Sequence, residues 1–431
     1  MQKLGIGLLG LGQVGSGLYS VLTAKKRYFE QTAGVSFEIK KIAVRNKHKK
    51  RRVRVPLALL TTDAKSVVRD PSVDIVVELI GGTLAARTLV KEALRCGKHV
   101  VTANKALLAE HSDEIFNLAI RRRAWIAFEA SVGGGIPVIK ALREGLVANR
   151  IDSIYSIING TSNYILSKMT AEHTDFEQAL RQAQEKGYAE ADPTFDVEGI
   201  DAAHKLAILV RFAFGGKVRF RDIYCEGIAR IGKEDIAFAE EFGYRVKLLA
   251  IAKASKGEIE ARVQPTLLPK THILANVNGA FNAVLMRGDE VGEVLFYGQG
   301  AGPRPTASAV VSDLVDIAKR GTRRLYDPTF LIRGLRTRCK IKSMSSILSR
   351  YYFRFSIIDR PGVLAQISRV LGAHAISISD CVQKETSAGK VVPLIVLTHH
   401  AHELDVRNAI RLIDRLKIVR GKSQVIRIEG N

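Results

Sequence analysis

Short apolar runs alternate with amphipathic stretches through the first 130 residues of the chain. The apolar runs predict strands at residues 4–9, 37–44, 74–80, 99–102 and 124–128. Apolar residues at helical spacing predict helices between them, at residues 13–29, 84–96 and 105–121. Because the strand runs do not alternate strictly and helices separate them, we expect a parallel sheet with both faces covered.

The pattern changes from about residue 136 onward, where strands and helices no longer alternate regularly. Helices are predicted at residues 136–146, 162–169 and 200–214, and strands in "IDSIYSIING", "EIEARVQPTLL" and "AFNAVLMRG". This mixture is typical of an α+β domain. A Gly/Pro-rich turn in "GAGPRPTASAVVSDLVDIAKR" then leads into a long helix. Residues 353–429 follow the order strand, helix, strand, strand, helix, strand.

The chain of 431 residues is too long for one ordinary core, so two or three domains are expected. Its composition, 46% hydrophobic and 25% charged, is that of a globular protein, and no apolar run approaches the roughly 18 residues that a membrane span needs. The cysteines, Cys96, Cys225, Cys339 and Cys381, lack the spacing of a disulfide framework or a zinc site. Scattered thiols and the lack of a signal-peptide pattern make the cytoplasm the expected location, without a membrane partner.

A formal net charge of +23 points to an anionic partner, either nucleic acid or a charged metabolite. The densest basic run is "RNKHKKRRVR", residues 45–54. RNA-binding modules combine such runs with exposed aromatic side chains, and this run has none. A solvated basic loop explains the basic run equally well. Because the run lacks aromatic side chains, we expect no nucleic-acid partner; salt-dependent RNA affinity would argue for such a partner.

The segment "GLGQVGSG" follows the first predicted strand and opens the first predicted helix. Its Gly10, Gly12 and Gly15 fit the G-x-G-x-x-G pattern, which forms a tight turn and lets a pyrophosphate approach the helix N-terminus. A tight strand–helix turn without a ligand is the alternative. We predict a dinucleotide site with the turn residues Gly10, Leu11, Gly12, Gln13, Val14 and Gly15.

Arg45 follows the second predicted strand, where NAD-binding proteins usually carry an acidic residue for the ribose hydroxyls. An arginine can instead bind a 2′-phosphate through several charged donors. The basic run behind Arg45 adds positive potential. We therefore favour NADP over NAD as the cofactor, with NAD as the alternative.

Carboxylates gather in "GYAEADPTFDVEGIDAAHKL", although the chain as a whole is basic. On the predicted helix, Asp201 and Lys205 are four residues apart and therefore share one face. An exposed ion pair is the ordinary explanation of this spacing and contributes about 0.3–0.5 kcal/mol. The preceding loop, with its proline and glycines, can instead bring Glu190 and Asp196 to the start of the helix. His204 is expected to pack or to form a hydrogen bond rather than to bind a ligand.

Six phrases, in order along the chain, are similar to one family: "GLGQVG", "TANKALLAEH", "EASVGGGIPVIKAL", "INGTSNYIL", "GYAEADPTFDVEGIDAAHKLAIL" and "GQGAGPRPTASAVVSDL". Over about residues 1–320 the chain resembles homoserine dehydrogenase, and its tail resembles an ACT regulatory domain. The resemblance implies reversible, NAD(P)-dependent reduction of L-aspartate 4-semialdehyde to L-homoserine, a step toward threonine, methionine and isoleucine.

The resemblance also implies an α/β fold in three parts: a Rossmann-type parallel-sheet domain that binds nucleotide, an α+β catalytic and dimerisation domain, and a ferredoxin-like βαββαβ ACT domain. The nucleotide-binding domain would comprise residues 1–135 plus 301–322, and the catalytic domain residues 136–300. A linker at residues 323–350 would precede the ACT domain at residues 351–431. The family pattern implies a homo-oligomer, either a dimer or a tetramer.

Lys205 is, on this resemblance, the general acid/base, since an ammonium group can protonate the oxygen that hydride transfer makes anionic. Glu190, Asp196 and Asp201 would bind the amino and hydroxyl groups of the substrate. Lys105 stands at the ligand-facing rim of the predicted sheet and would bridge cofactor and substrate, with a share in proton transfer. By position alone, a lysine on a helix surface is an equally good interpretation of Lys105.

The resemblance implies further cofactor contacts at Thr102 and Gly302, and a structural sodium ion at the main-chain oxygens of Glu129, Val132, Gly134 and Ile136. Three glycines after a strand can expose carbonyl oxygens to a hard cation, although a tight turn alone would also explain them. The segment "NGTSNY", residues 159–164, is either a helix cap or a wall of the substrate pocket.

The tail leaves two interpretations open. ACT domains pair side by side and hold amino acids at their interface, so threonine is the expected effector; a dimerisation module without an effector is the alternative. For the whole chain, the rival functions are a dehydrogenase of another amino-acid aldehyde and a non-catalytic sensor of dinucleotide or amino acid. A sensor would be expected to lose Lys205 or Glu190, and both are present.

Overall fold

The computed structural model describes residues 2–216, 218–255, 257–321, 340–384 and 389–430. Most of the predicted linker at residues 323–350 lies outside these ranges, as far as residue 339. Cys339 is outside them as well, whereas Cys96, Cys225 and Cys381 are free thiols, as the scattered cysteine spacing predicts. Within the described ranges, no helix is both long enough and apolar enough to cross a membrane.

The secondary structure includes eighteen strands and fourteen α-helices in the described part of the chain. The strands are β1 (Gln2–Leu9), β2 (Val35–Ala43), β3 (Leu60–Thr61), β4 (Ile75–Glu78), β5 (His99–Thr102), β6 (Ile126–Ala127), β7 (Ile151–Ile157), β8 (Tyr224–Cys225), β9 (Tyr244–Ser255), β10 (Glu258–Pro269), β11 (Phe281–Gly288), β12 (Gly292–Gln299), β13 (Lys340–Ile341), β14 (Leu348–Ile358), β15 (Ile378–Gln383), β16 (Val391–Thr398), β17 (Ala401–His402) and β18 (Gln424–Ile428). The helices are α1 (Gln13–Ala24), α2 (Lys26–Ala33), α3 (Ala64–Val68), α4 (Leu84–Arg95), α5 (Lys105–Arg121), α6 (Val138–Lys140), α7 (Gly160–Glu172), α8 (Phe176–Glu185), α9 (Thr194–Val197), α10 (Ile200–Phe214), α11 (Lys233–Glu241), α12 (Pro303–Gly321), α13 (Val363–Ala373) and α14 (Glu403–Ile413).

The chain divides into two compact units. The first comprises Met1–Ser153, His204–Asp222 and Asn282–Cys339, and the second comprises Ile154–Ala203, Ile223–Phe281 and Lys340–Asn431. The boundary falls inside α10, after Ala203. The boundaries of the three predicted domains differ from those of the two units, and the three-domain division remains a prediction.

The first unit contains a six-stranded parallel sheet in the order β3-β2-β1-β4-β5-β6. This is the doubly wound, Rossmann-type order, and it confirms the predicted parallel sheet. Ile6, Leu8 and Leu9 of β1 are fully buried because helices cover both faces of the sheet. Helix α12 returns to this sheet from late in the chain, and its Ala307 and Leu314 belong to the same apolar core.

Two predicted helices differ from the observed ones. The helix predicted at residues 13–29 is interrupted at Lys25, where φ is −106° and ψ is 20°. Phe29 of the second piece packs edge-on against Phe37 of β2, with ring centroids 6.3 Å apart, so tertiary packing redirects the chain onto the sheet. The helix predicted at residues 136–146 is only the short α6, with Pro137 as its N-cap, followed by a π-helical turn, Ala141–Gly145.

The second unit contains a mixed sheet with the strand order β7-β9-β10-β18-β14-β16-β15. Its last four strands, with α13 and α14, form an antiparallel βαββαβ arrangement, as predicted for the tail. The final strand β18 also pairs in parallel with β10, through Thr266 opposite Arg427 and Leu267 opposite Ile428. The tail therefore continues the sheet of the second unit.

A buried ion cluster fastens the C-terminal strand to this sheet. Glu429 accepts hydrogen bonds from Lys253 Nζ at 2.8 Å and from the Tyr155 hydroxyl at 3.3 Å, and it forms an ion pair with the fully buried Arg262. Burial opposes ionisation of Glu429, but Lys253 and Arg262 outweigh burial and lower its pKa. The carboxylate therefore shares the neutralisation of Arg262 and Lys253 with Glu260, which also forms ion pairs with both cations.

Candidate active site

The glycine turn between β1 and α1 has the backbone that the G-x-G-x-x-G pattern requires. Gly10 has a φ of +98°, which favours glycine, and a Cβ at Gly15 would lie 2.3 Å from the carbonyl oxygen of Gly10. A Cβ at Gly12 would meet no atom within 4 Å. Gly12 is also the N-cap of α1, so the open space lies at the end of a helix whose free N–H groups favour an anion. The turn therefore fits a pyrophosphate.

A cavity of about 650 Å³ opens over this turn in the first unit. Of the predicted cofactor residues, its lining includes Gly10, Leu11, Gly12, Gln13 and Arg45. The other predicted cofactor residues do not line it: Val14, Gly15, Thr102, Lys105 and Gly302. Its size suits part of an extended ligand such as a dinucleotide.

The basic run supplies much of the cavity's charge. Besides Arg45, the side chains of Lys49, Lys50, Arg51 and Arg52 line the cavity, and none of the described lining residues is acidic. Arg51 is also structural, since its guanidinium donates to the carbonyl oxygens of Lys47 at 3.0 Å and Lys49 at 2.9 Å. The run is therefore a folded loop whose cations face a ligand cavity.

A hydrogen-bond network links the ends of β4 and β5. The Thr102 hydroxyl donates to Glu78 Oε2 at 2.6 Å and accepts from the Asn104 N–H at 3.0 Å. Glu78 Oε1 accepts from the N–H groups of Ile80 and Gly81, two residues that line the cavity. Burial raises the pKa of Glu78. Thr102 is fully buried, does not line the cavity, and has its hydroxyl bonded to Glu78.

Sequence reasoning missed Glu78. The available signal was an acidic residue within the apolar run "DIVVELIGG", three residues before the first of two glycines. Polar residues at the carboxyl ends of parallel strands lie on the ligand-binding rim of such sheets. A single carboxylate inside an apolar run was not enough to single it out.

Lys105 begins α5, and the same network fixes the start of this helix. Asn104 is the N-cap, with Oδ1 accepting from the Leu107 N–H at 3.1 Å and Nδ2 donating to the Gly82 carbonyl oxygen at 2.7 Å. Capping of this kind stabilises a helix by about 1 kcal/mol. The backbone of Lys105 is thereby attached to the rim of the sheet, and its side chain is half-buried.

Within the first unit, Arg211 ties α10 to α5. Its guanidinium is buried, forms an ion pair with Asp113 and stacks over the Phe116 ring, 5.4 Å from the centroid. These contacts connect the helix that begins with Lys105 to the helix that carries Lys205. Only the arginine of this pair is buried, because 47% of the Asp113 side chain is exposed.

Lys205 lies on the buried α10, and 9% of its surface is exposed. Its neighbour His204 packs edge-on against Phe220 with ring centroids 4.2 Å apart, as expected for a packing residue. Asp201, one turn earlier on the same helix, is only 2% exposed. The spacing of Asp201 and Lys205 is therefore not that of an exposed helix ion pair.

Asn159 joins two of the three predicted substrate carboxylates in the second unit. Its Nδ2 donates to Asp196 Oδ1 at 2.7 Å and to Asp201 Oδ2 at 2.9 Å. Its Oδ1 accepts from the Ser162 N–H at 2.7 Å and so caps α7. The two interpretations of "NGTSNY" are thus connected, because the capping residue also orients the carboxylates.

Glu190 is not joined to this group. Its side chain is exposed and forms neither a hydrogen bond nor an ion pair with any residue that the structure describes. Only its carbonyl oxygen is engaged, by Gln184 Nε2 at 3.1 Å. Asp196 and Asp201 are brought together, and Glu190 is left at the surface.

The "EASVGGGIP" segment forms a buried loop in the first unit. The Glu129 carboxylate accepts from the N–H groups of Ile139 and Lys140, both at 2.8 Å, and the Glu129 N–H donates to Asp313 at 2.9 Å. Burial raises the pKa of both carboxyl groups, to about 8 for Asp313. No cluster of three or more His, Cys, Asp or Glu side chains suitable for a metal occurs in the described ranges.

Backbone geometry in this loop depends on glycine. A Cβ at Gly134 would lie 2.4 Å from the carbonyl oxygen of Gly300, and the φ of Gly134 is +57°. Gly302, with a φ of +120°, accepts the first backbone hydrogen bond of α12 from the Thr306 N–H. Both positions therefore have a structural need for glycine, whatever they bind.

The doubly wound sheet, the glycine turn and the basic cavity define a dinucleotide-binding protein of the Rossmann type. Residues 10–129 match the family "Homoserine dehydrogenase, NAD binding domain", residues 137–315 match "Homoserine dehydrogenase" and residues 351–417 match "ACT domain". The chain belongs to the homoserine dehydrogenase family.

Named relatives extend over the full chain. The homoserine dehydrogenase of Pseudomonas aeruginosa is 45% identical, with 100% of this chain and 99% of the relative covered. That of Synechocystis sp. is 44% identical, with 98% and 99% covered. A crystal structure of a homoserine dehydrogenase from Thiobacillus denitrificans is 49% identical, with a TM-score of 0.92 and 99% and 98% of the two chains covered.

These matches confirm the predicted family, fold class and reaction. The protein is an NAD(P)-dependent oxidoreductase that converts aspartate semialdehyde to homoserine. A hyperthermophilic archaeal homoserine dehydrogenase in complex with NADPH is 29% identical, with a TM-score of 0.61 and coverage of 75% of this chain and 100% of that one. The roles of individual site residues stay predictions.

Proposed function

We propose that this enzyme reduces L-aspartate 4-semialdehyde with NADPH, and that Lys205 is its general acid/base. The observation that carries the proposal is on α10, where the buried Asp201 and Lys205 stand one turn apart. Asp201 is linked through Asn159 to Asp196, so the acidic group is ordered rather than solvated. Carboxylates of this kind can bind the ammonium group of an amino-bearing substrate.

The proposed chemistry assigns one task to each side chain. NADPH, when bound, supplies the hydride. The Lys205 ammonium donates its proton to the carbonyl oxygen, which gains negative charge as it is reduced. Asp196 and Asp201 bind the ammonium group of the substrate. In the oxidative direction, neutral Lys205 accepts the hydroxyl proton.

Two further residues complete the proposed substrate site. Lys105 bridges cofactor and substrate and shares in proton transfer, supported by its position on the capped start of α5 beside the Glu78 network. Glu190 closes on the substrate from its surface loop. Its exposed side chain means that this contact would form only when substrate is bound.

NADP, rather than NAD, is the proposed physiological cofactor. Five cations line the cavity without an acidic partner among the described lining residues, and this favours a 2′-phosphate over a free ribose hydroxyl. The proposed contacts are Gly10, Leu11, Gly12, Gln13, Val14, Gly15, Arg45, Thr102, Lys105 and Gly302. Because the Thr102 hydroxyl is bonded to Glu78, Thr102 would contribute through its main chain.

The experiment is to follow nicotinamide absorbance with aspartate semialdehyde, using NADPH and NADH in parallel. The proposal predicts turnover when aspartate semialdehyde and the reduced cofactor are both present. It also predicts a higher kcat/KM with NADPH than with NADH. Turnover with a different amino-acid aldehyde but not with aspartate semialdehyde would reject it. A higher kcat/KM with NADH would reject the cofactor preference alone.

A structural sodium ion at Glu129, Val132, Gly134 and Ile136 is also proposed. Hard cations take oxygen ligands, and the carbonyl oxygens of Val132 and Gly134 accept no hydrogen bond from the described residues. The Glu129 carboxylate is occupied by two N–H groups, so Glu129 would contribute its main-chain oxygen. Higher thermal stability in sodium chloride than in choline chloride at equal ionic strength would support the ion, and equal stability would reject it.

Threonine regulation and self-association are proposed for the ACT-containing chain. Exposed apolar side chains, including Val291 and Tyr297 beside or on β12 and Val391 on β16, are candidates for burial between copies. Size-exclusion chromatography with light scattering tests for a dimer or tetramer, and a monomer would reject assembly. Threonine that changes neither rate nor thermal stability would reject the effector.

A further inference from the structure

Lys247 on β9 is buried, and all of its hydrogen-bond acceptors are uncharged. Only 2% of its surface is exposed. Its Nζ donates to the Val277 carbonyl oxygen at 2.6 Å, to Asn278 Oδ1 at 3.1 Å and to Asn163 Oδ1 at 3.4 Å. Among the residues that the structure describes, no carboxylate forms an ion pair with it.

Such a lysine is unfavourable for folding on its own. Burying an ammonium group without a counter-charge is costly, and the penalty appears here as a pKa lowered to about 7 by burial and by Arg245. A methionine of similar length would avoid the penalty. The three donated hydrogen bonds therefore matter for the positions of the groups that they connect.

They hold α7 to the segment that precedes β11. Asn163 of α7 accepts from Lys247 through Oδ1, while its Nδ2 donates to the carbonyl oxygens of Val277, Gly279 and Phe281 at 3.1, 2.9 and 3.2 Å. The Gly279 N–H donates in turn to Ser167 Oγ at 3.1 Å. Lys247 thus fixes the orientation of the Asn163 amide, and with it one face of the helix.

The first turn of the same helix carries the carboxylate hub. Asn159 lies one turn before Asn163 and donates to Asp196 and Asp201. Ser162 adds a hydrogen bond from its hydroxyl to the Asp196 carbonyl oxygen at 2.9 Å. A rotation or shift of α7 would therefore displace the groups that orient both carboxylates.

We propose that Lys247 is a positioning residue for substrate binding, which acts through Asn163 and α7 on Asp196 and Asp201. This inference rests on the proposed function, because it takes Asp196 and Asp201 as substrate ligands. Lys247 itself is not among the proposed substrate or cofactor contacts. Its loss should therefore raise the KM for aspartate semialdehyde and leave NADPH binding unchanged.

The test compares Lys247→Met with the wild type in the full-length enzyme. We expect the KM for aspartate semialdehyde to rise by about tenfold or more, since small displacements of positioning groups have effects of this order. The Kd for NADPH, from fluorescence titration, should stay at the wild-type value. Lys247→Arg, which retains charged donors, should recover part of the loss. A lower Tm with an unchanged KM would show a merely structural role and overturn the proposal.

Two controls keep the outcome decisive. Lys270→Met removes an exposed lysine that donates to the Glu240 carbonyl oxygen at 2.9 Å, and it should leave the KM unchanged. If Lys247→Met fails to fold, Asn278→Ala decides, because it removes one exposed acceptor of the same ammonium; a raised KM supports the proposal and an unchanged KM overturns it. A wild-type enzyme that does not reduce aspartate semialdehyde would instead reject the proposed function.

Discussion

The Thr102 hydroxyl donates a 2.6 Å hydrogen bond to the buried Glu78, and this bond joins the ends of two neighbouring strands of the nucleotide-binding sheet. The same hydroxyl accepts from the Asn104 N–H, at the cap of the helix that begins with Lys105. The relationship connects the wall of the cofactor cavity to a predicted catalytic lysine. It also makes the hydroxyl, rather than the bulk of the side chain, the important feature of position 102.

Thr102→Val should destabilise the enzyme and weaken NADPH binding. Valine keeps the shape but leaves Glu78 short of a donor, which costs about 1–3 kcal/mol in a buried site. Urea unfolding and NADPH fluorescence titration measure the two effects. Thr102→Ser retains the hydroxyl and is the matched control. Equal stability and equal NADPH affinity of the two variants would contradict the assignment.

Arg45→Asp should invert the cofactor preference. The substitution removes a donor for the 2′-phosphate and introduces a carboxylate that can accept from ribose hydroxyls. We expect kcat/KM to fall with NADPH and to rise relative to it with NADH. Arg54→Asp makes the same charge change in the same basic run, but Arg54 does not line the cavity. An unchanged preference in Arg45→Asp, or an equal shift in Arg54→Asp, would count against a specific role.

The stability difference between the wild type and Lys247→Met should depend on pH. Burial and Arg245 lower the pKa of Lys247 to about 7 from its ordinary 10.5. Asn163 on α7 and Asn278 accept hydrogen bonds from the ammonium group without a negative charge, and its cross-strand neighbour on β10 is the uncharged Thr266. At a pH between these two pKa values, the Lys247 side chain is protonated in the unfolded chain and neutral in the folded protein. The stability of the wild type therefore rises with pH. Methionine cannot titrate.

Urea unfolding of both proteins at several pH values between about 7 and 9.5 measures this difference. We expect the wild type to gain stability relative to Lys247→Met as the pH increases. A constant difference across this range would mean that Lys247 keeps an ordinary pKa in the folded protein.

Glu429→Gln should be strongly destabilising, although the residue lies at the end of the chain. The substitution leaves the fully buried Arg262 with only Glu260 as a charged partner among the described residues, and breaking a buried ion pair costs about 3–5 kcal/mol. Glu241→Gln, which breaks an exposed pair with Lys384, is the control and should change stability by about 0–1 kcal/mol. Thermal unfolding distinguishes the two variants.

The stability difference between the wild type and Glu429→Gln should also decrease in acid. Because the folded-state pKa is lowered below the ordinary 4.5, the carboxylate stabilises the protein above that pH, and the stabilisation is lost as pH falls. The stability of the wild type should therefore approach that of Glu429→Gln below about pH 4.5. A difference that persists undiminished in acid would argue against an ionised Glu429.

The sequence predicted features with a local physical signature. The glycine turn at Gly10, the apolar parallel strands and the βαββαβ tail follow from spacing and periodicity, and the structure has all three. The interruption at Lys25 was not predictable, because the apolar pattern continues through it and the packing of Phe29 on the sheet decides the outcome. Tertiary packing overrides periodicity at such points.

The candidate site divides in the same way. Asp201 and Lys205 were found because their spacing fixes a common helix face. Glu78 and Lys247 were missed, since each is one charged residue in an apolar run and its role depends on partners far away in sequence. Asn159 was recognised only as a cap or a pocket wall. Its hydrogen bonds to Asp196 and Asp201 depend on residues 37 and 42 positions away.

Steady-state kinetics of Lys205→Met test the central claim most directly. Loss of a general acid/base is expected to lower kcat by about a hundred- to ten-thousand-fold, whereas NADPH affinity should remain that of the wild type. Lys26→Met, at an exposed position on α2, is the control and should retain wild-type kcat. A Lys205→Met enzyme that is folded, binds NADPH and reduces aspartate semialdehyde at the wild-type rate would contradict the account.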